Sequence, residues 1–235
     1  MDTLNYKRIT RLSAIVFVAL ELILFPLIQL TPARVSEVAC YLAIVFVALF
    51  AAVTSGGEKE GHLIRLGILF TLVADYFLVL ADDAQLEGVI AFIAVQLCYF
   101  AYLFKREERT KVRVVNAASR IVLSILLVIA AIVVLGEDTD ALAIASVLYY
   151  GNLVANAVFA FALGKEERIF AVGLVLFGMC DLCIGLEVLC SSYLESSVMD
   201  FMYGANLNLP WVFYQPSQTL IGLRLLTMVR EDEKH

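Results

Sequence analysis

Histidine is almost missing from this chain: its two copies, His62 and His235, stand in a polar connection and at the tail. A membrane hydrolase built on histidine-held zinc therefore has no ligands. No Gly-x-Ser-x-Gly elbow is present, so a serine triad has no support. Charged residues make up only 17% of the sequence, and no basic patch interleaves with aromatics, which argues against nucleic acid as a partner. The five cysteines (Cys40, Cys98, Cys180, Cys183 and Cys190) all fall in or beside apolar runs, where a disulfide framework is not expected. Cys180 and Cys183 have Cys-x-x-Cys spacing. Without a second pair in an outer loop, they read as small apolar residues.

What the chain has in excess is hydrophobicity. Of 235 residues, 62% are hydrophobic, and the mean hydropathy is +0.89. A soluble domain of this length could not cover that much apolar surface with polar groups. A helix crosses the hydrocarbon core with about 20 apolar residues, and the sequence divides into eight such runs at 12–31, 36–54, 63–81, 86–104, 117–135, 141–163, 169–192 and 207–229. The fold class expected is all-α, a single polytopic transmembrane bundle of about eight helices spanning 1–235. Lys7, Arg8 and Arg11 precede the first run as in a signal peptide. That run is too long for one and lacks a small-residue cleavage site, so it is expected to stay as the first helix. The stretch from Ser191 to Asn206 has room for a loop or small helix.

Charge placement tests the count. If eight helices alternate, most lysines and arginines fall on one side, from Lys7 through Lys59, Lys105–Arg113 and Lys165 to Lys234. The other side holds Arg34 and the acids Asp82, Asp83, Glu137, Asp138, Asp140, Glu195 and Asp200. The basic side faces the cytoplasm by the positive-inside rule, which puts both termini there. A cell-membrane location follows if the source is bacterial.

Two runs echo each other. Gly67 to Asp75 in the third and Gly173 to Asp181 in the seventh space glycine and aspartate equally. The two helices run the same way, which is compatible with a parallel four-plus-four repeat. Asp75 and Asp181 each lie about 12 residues, or roughly 18 Å, past the inner end of their helices. A carboxylate at that depth costs about 2.5–3.5 kcal/mol on insertion scales, which makes it a functional candidate by default. Two carboxyls in one cavity can serve as general acid and general base. Each could equally hydrogen-bond a neighbouring helix. Tyr149, Asn152 and Asn156 share a narrow arc of the sixth helix, and Trp211, Tyr214, Ser217 and Gln218 share a face of the eighth, where Pro216 is expected to introduce a kink. Gln96 and Tyr99 add a pair on the fourth. Together they are expected to line a polar cavity around the aspartates. Gly178 and Gly185 flank Asp181 on its own face, where they permit close helix packing or leave space for a ligand. Glu21 and Glu187 are further intramembrane acids, Glu187 on a different face from Asp181.

These residues carry a family resemblance. Gly173-x-x-x-Phe177-x-x-x-Asp181 is similar to an element of the YhhN-like lysoplasmalogenase family, and Tyr214-x-x-x-Gln218-x-Leu220-Ile221 resembles its closing segment. Leu69-Phe70 with Asp75, then Phe92, Gln96 and Tyr99, resemble its third and fourth helices, and Tyr149-Tyr150 its sixth. Ala74 stands where the family usually has glycine, and Val95-Gln96 where it often has Gly-His. The resemblance implies hydrolysis of the vinyl ether bond of lysoplasmalogens, with Asp75 and Asp181 catalytic. Tyr149, Asn152, Asn156, Tyr214, Gln218, Gln96 and Tyr99 would then contact substrate. It implies a lysophospholipid substrate, membrane lipids as surroundings, and neither metal nor cofactor. A proton- or cation-coupled transporter and a non-catalytic lipid-binding protein are the competing readings.

Overall fold

The computed structural model describes residues 3–31, 33–54, 60–81, 84–193 and 208–232, with side chains described over 12–31, 34–54, 60–81, 84–186 and 208–228. Eight long helices account for nearly all of these residues: α1 (Thr3–Leu30), α2 (Ala33–Val53), α3 (Gly61–Asp75), α4 (Gln85–Arg106), α5 (Thr110–Leu135), α6 (Ala141–Leu163), α7 (Arg168–Tyr193) and α8 (Leu209–Asp232). Among the described residues there is no strand. The stretch 194–207, with Glu195 and Asp200, lies outside the described residues, as do Asp82 and Asp83.

Among the described residues, seven helices are long and apolar enough to cross a membrane, the third counted through its helical continuation to Ala81; α8 is not one of them. Their outer faces show why a bilayer suits them. Along α5, Ile121, Val122, Ile125, Leu126, Ile129, Val133 and Val134 are all exposed, a surface that water would penalise and lipid does not. α8 is of comparable length, with 24 residues, and lies inside the bundle against α1, α2, α3 and α7. Protein rather than lipid surrounds it, so Tyr214, Gln215, Ser217, Gln218 and Arg224 can all be buried there.

The helices extend beyond their apolar runs wherever polar residues favour helix outside the hydrocarbon. α5 starts at Thr110, so its first two turns include Lys111 and Arg113. The α4–α5 connection is tied down by Glu107, whose carboxylate accepts hydrogen bonds from the Arg109 backbone amide (2.9 Å) and from its guanidinium (2.8 Å). Those bonds hold the Glu107 carboxyl down at about 2.

Packing repeats between the halves. α3 pairs with α4 and α7 with α8, while α4 lies on α6 as α8 lies on α2. The close contacts repeat as well. A Cβ at Gly67 would stand 2.3 Å from the Tyr99 ring of α4, and one at Gly173 would stand 2.9 Å from Ile221 of α8. Phe92, Gln96 and Tyr99 on α4 have the spacing of Tyr214, Gln218 and Ile221 on α8. Both halves therefore use a glycine to bring an aspartate-bearing helix against its partner. At Gly178, by contrast, a Cβ would meet nothing within 4 Å among the described residues, so that glycine does not serve helix packing.

Tyr99 is fully buried and cannot swing away, so Gly67→Ala is expected to destabilise the protein by about 1–3 kcal/mol. Gly178→Ala is expected to leave stability unchanged or slightly raised, because alanine removes glycine's entropic penalty in a helix. Thermal unfolding of the two variants in one detergent separates these outcomes.

Candidate active site

Asp75 is the last residue of α3, whose inward stripe is Ile64, Gly67, Ile68, Thr71, Ala74 and Asp75. At that point the helix loosens into a π-helical segment, Tyr76–Ala81. Such changes of hydrogen-bond register are frequent at functional sites. The segment is seated on α4 by Leu78, which fills the space a Cβ on Gly88 would occupy.

The buried Asp75 accepts a 2.7 Å hydrogen bond from the hydroxyl of Tyr214 on α8. Asp181 on α7, half-buried, accepts one of 2.6 Å from Tyr149 on α6. Four helices thus contribute two carboxyl–tyrosine pairs. The pairs share one aromatic wall: the Phe177 ring lies 5.2 Å from Tyr214 and 6.2 Å from Tyr149. Phe92 lies 5.4 Å from both Tyr149 and Phe177. Trp211 stands edge-on to Tyr214 at 5.0 Å. Each aspartate keeps one oxygen, Oδ1, beyond its tyrosine bond, so each carboxyl retains a face for a further proton partner.

The other candidate residues divide. Asn156 donates to the Gln96 side chain and backbone carbonyl, both at 2.9 Å, which joins α6 to α4. Asn152 donates to the Leu148 carbonyl (2.9 Å) and accepts from Arg120. Gln218 is fully buried with neither amide atom partnered, and Ser217 Oγ, Gln96 Nε2 and Asn156 Oδ1 are likewise buried and unpartnered. The Tyr99 hydroxyl lies beside Thr71 without a hydrogen bond of normal geometry. Buried polar groups in folded proteins are nearly always satisfied, so such groups are what water or a polar ligand ordinarily serves. Cys180 and Cys183 are buried free thiols. Glu21 is tied to α8 by Gln215, whose amide donates to its carboxylate (2.8 Å) and its carbonyl (2.7 Å). Glu187 lies in the part of α7 whose side chains are not described.

The model of the YhhN family matches residues 34–222. The chain belongs to the YhhN family. No match was found among curated proteins or among solved structures. The matched region holds both carboxyl–tyrosine pairs and every residue expected to line the cavity.

Three features of this family member were not read from its sequence. Arg224, 0% exposed, forms an ion pair with Glu167, 2% exposed, at 2.9 Å. The Tyr102 hydroxyl donates to both Glu167 oxygens at 2.8 Å, and Arg106 adds a 3.1 Å contact. This cluster joins α4, α8 and the α6–α7 connection at one end of the bundle. The third feature is Arg120, buried on α5. The only signal for the two arginines was a single charge inside an otherwise apolar run.

Removing one partner of a buried pair strands the other's charge, at a cost of about 3–5 kcal/mol. Glu167→Ala is therefore expected to lower the melting temperature far more than Glu166→Ala, whose exposed carboxylate meets Arg106 at the surface. Equal melting temperatures for the two would contradict a structural role for the cluster.

Proposed function

We propose that this YhhN family member is a membrane hydrolase of the lysoplasmalogenase type, cleaving the vinyl ether of a lysophospholipid to a fatty aldehyde and a glycerophospho-alcohol. The observation that carries this reading is the pair of tyrosine-held carboxyls, Asp75 and Asp181, brought from α3 and α7 to one aromatic wall.

A vinyl ether is cleaved by adding a proton to its outer alkene carbon, which leaves an oxocarbenium ion at the carbon bearing oxygen. Water attacks that carbon and gives up a proton, and the hemiacetal collapses to aldehyde and alcohol. One carboxyl must deliver a proton to carbon, and a second must orient water and balance the cation. Tyr149 and Tyr214 fix the orientation of the two carboxyls. Phe92, Phe177 and Trp211 give the site an apolar wall against which the alkenyl chain can lie. Such walls also restrict water to the carboxyl face, which favours hydrolysis over random proton exchange. In this reading the basic ends of the helices face the cytoplasm by the positive-inside rule, with the aspartates toward the outer half of the bilayer.

The test is release of aldehyde from lysoplasmenyl-ethanolamine by the purified protein. Asp75→Asn and Asp181→Asn are each expected to lower kcat by on the order of 10²–10⁴, the usual worth of a general acid or base. Tyr149→Phe and Tyr214→Phe are expected to cost less, since they loosen the carboxyls without removing them. Full turnover by both asparagine variants sinks the two-carboxylate mechanism. A folded wild type without turnover shifts the reading to lipid binding or transport.

A further inference from the structure

Arg120 is a charge without a counter-charge. It lies ten residues into α5, about 15 Å from that helix's start, between the exposed, lipid-facing Ile121 and Val122 and the bundle. Its side chain turns inward and is 7% exposed. Nε donates to Asn116 Oδ1 at 2.8 Å and Nη1 to Asn152 Oδ1 at 3.4 Å. The guanidinium lies over the Phe100 ring of α4 at 4.4 Å. Nη2 is buried and has no partner, and among the described residues no carboxylate pairs with it. Two amide oxygens and a ring face soften a buried cation but do not neutralise it. Arg224, also buried, is matched by Glu167.

The position of Arg120 tells which anion fits. Asn152, which it holds, is three residues from Tyr149 on α6, about 4.5 Å along the axis and about 60° around it. Tyr149 is bonded to Asp181. Arg120 is thus held, through Asn152, about one helical turn along α6 from the Tyr149–Asp181 pair. In a lysophospholipid the scissile ether and the phosphate are separated only by the three-carbon glycerol. α5 packs on α6, and reaches α4 through Arg113 over Phe104 at 5.4 Å and Arg120 over Phe100. A guanidinium offers a planar fork of donors suited to phosphate oxygens.

We infer that Arg120, oriented by Asn116 and Asn152, is the subsite that receives the phosphate of the lysophospholipid while its alkenyl ether lies at Asp75 and Asp181. The inference rests on the substrate class proposed above, and its test is independent of turnover.

Trp211 is the only tryptophan and stands against Tyr214, so its fluorescence reports occupancy of the site. The probes are ester-linked lysophosphatidylethanolamine, a monoacylglycerol of the same chain, and inorganic phosphate. Wild type is expected to bind the phosphorylated lipid on the order of tenfold or more tighter than the monoacylglycerol. Arg120→Gln is expected to bring the ratio near one, and Arg120→Lys to keep part of it. Should Arg120→Gln not fold, the wild type still decides: thermal stabilisation must be greater with the phosphorylated lipid. Equal affinity of wild type for the two lipids overturns the subsite, as does an undiminished preference in folded Arg120→Gln. Saturation by inorganic phosphate with no gain from the acyl chain assigns a free anion and overturns the headgroup. Phosphate preference that depends on Arg120, in a protein that does not hydrolyse vinyl ethers, keeps the subsite and removes the hydrolase.

Discussion

In a bilayer, burying apolar surface does not tell a helix which neighbour to choose, because lipid is as apolar as leucine. Polar side chains do, since each must find a partner inside the bundle or go unsatisfied. This constraint organises the whole molecule. The bonds from Tyr214 to Asp75, Tyr149 to Asp181, Asn156 to Gln96 and Gln215 to Glu21 each join two different helices. With the Arg224–Glu167 pair, they fix the bundle at several depths. Glycines then set the spacing where backbones must approach, as at Gly67 and Gly173.

The same constraint explains why the site lies where it does. α8 can carry five buried polar residues because helices enclose it, and it delivers Tyr214 and Gln218 to the interior at a depth where lipid would exclude them. α3 and α7 approach from equivalent places in the two halves and each delivers one aspartate. The similar packing of the two halves therefore yields two carboxyls that differ in surroundings. Asp75 is buried against α8, whereas Asp181 is more open and faces α6. Asymmetry of that kind is what a proton donor and a proton acceptor need.

Much of this was legible in the sequence, for particular reasons. The aspartates stood out because a carboxylate inside an apolar run is expensive, and the equal glycine–aspartate spacing predicted equivalent depths. Tyr149 and Tyr214 followed from helical periodicity. What periodicity does not contain is the partner. Asn152 shares an arc with Tyr149 yet turns to Arg120, a residue submerged in the run 117–135 because averaged hydropathy absorbs one charge among many aliphatics. Arg224 was hidden in the same way, and Glu167 read as part of a short polar connection until its pairing across 57 positions was seen. The π-helical segment after Asp75 lies where Leu78 meets Gly88, a tertiary contact with no local signature.

In the proposed reaction Asp75 and Asp181 act as one catalytic unit. A double-mutant cycle on hydrolysis of lysoplasmenyl-ethanolamine tests it most directly, with kcat/KM measured for Asp75→Asn, Asp181→Asn and the variant carrying both. Residues that act as a unit are strongly non-additive, so the double variant is expected to be about as slow as the slower single one. Losses that multiply in the double variant would contradict the shared site.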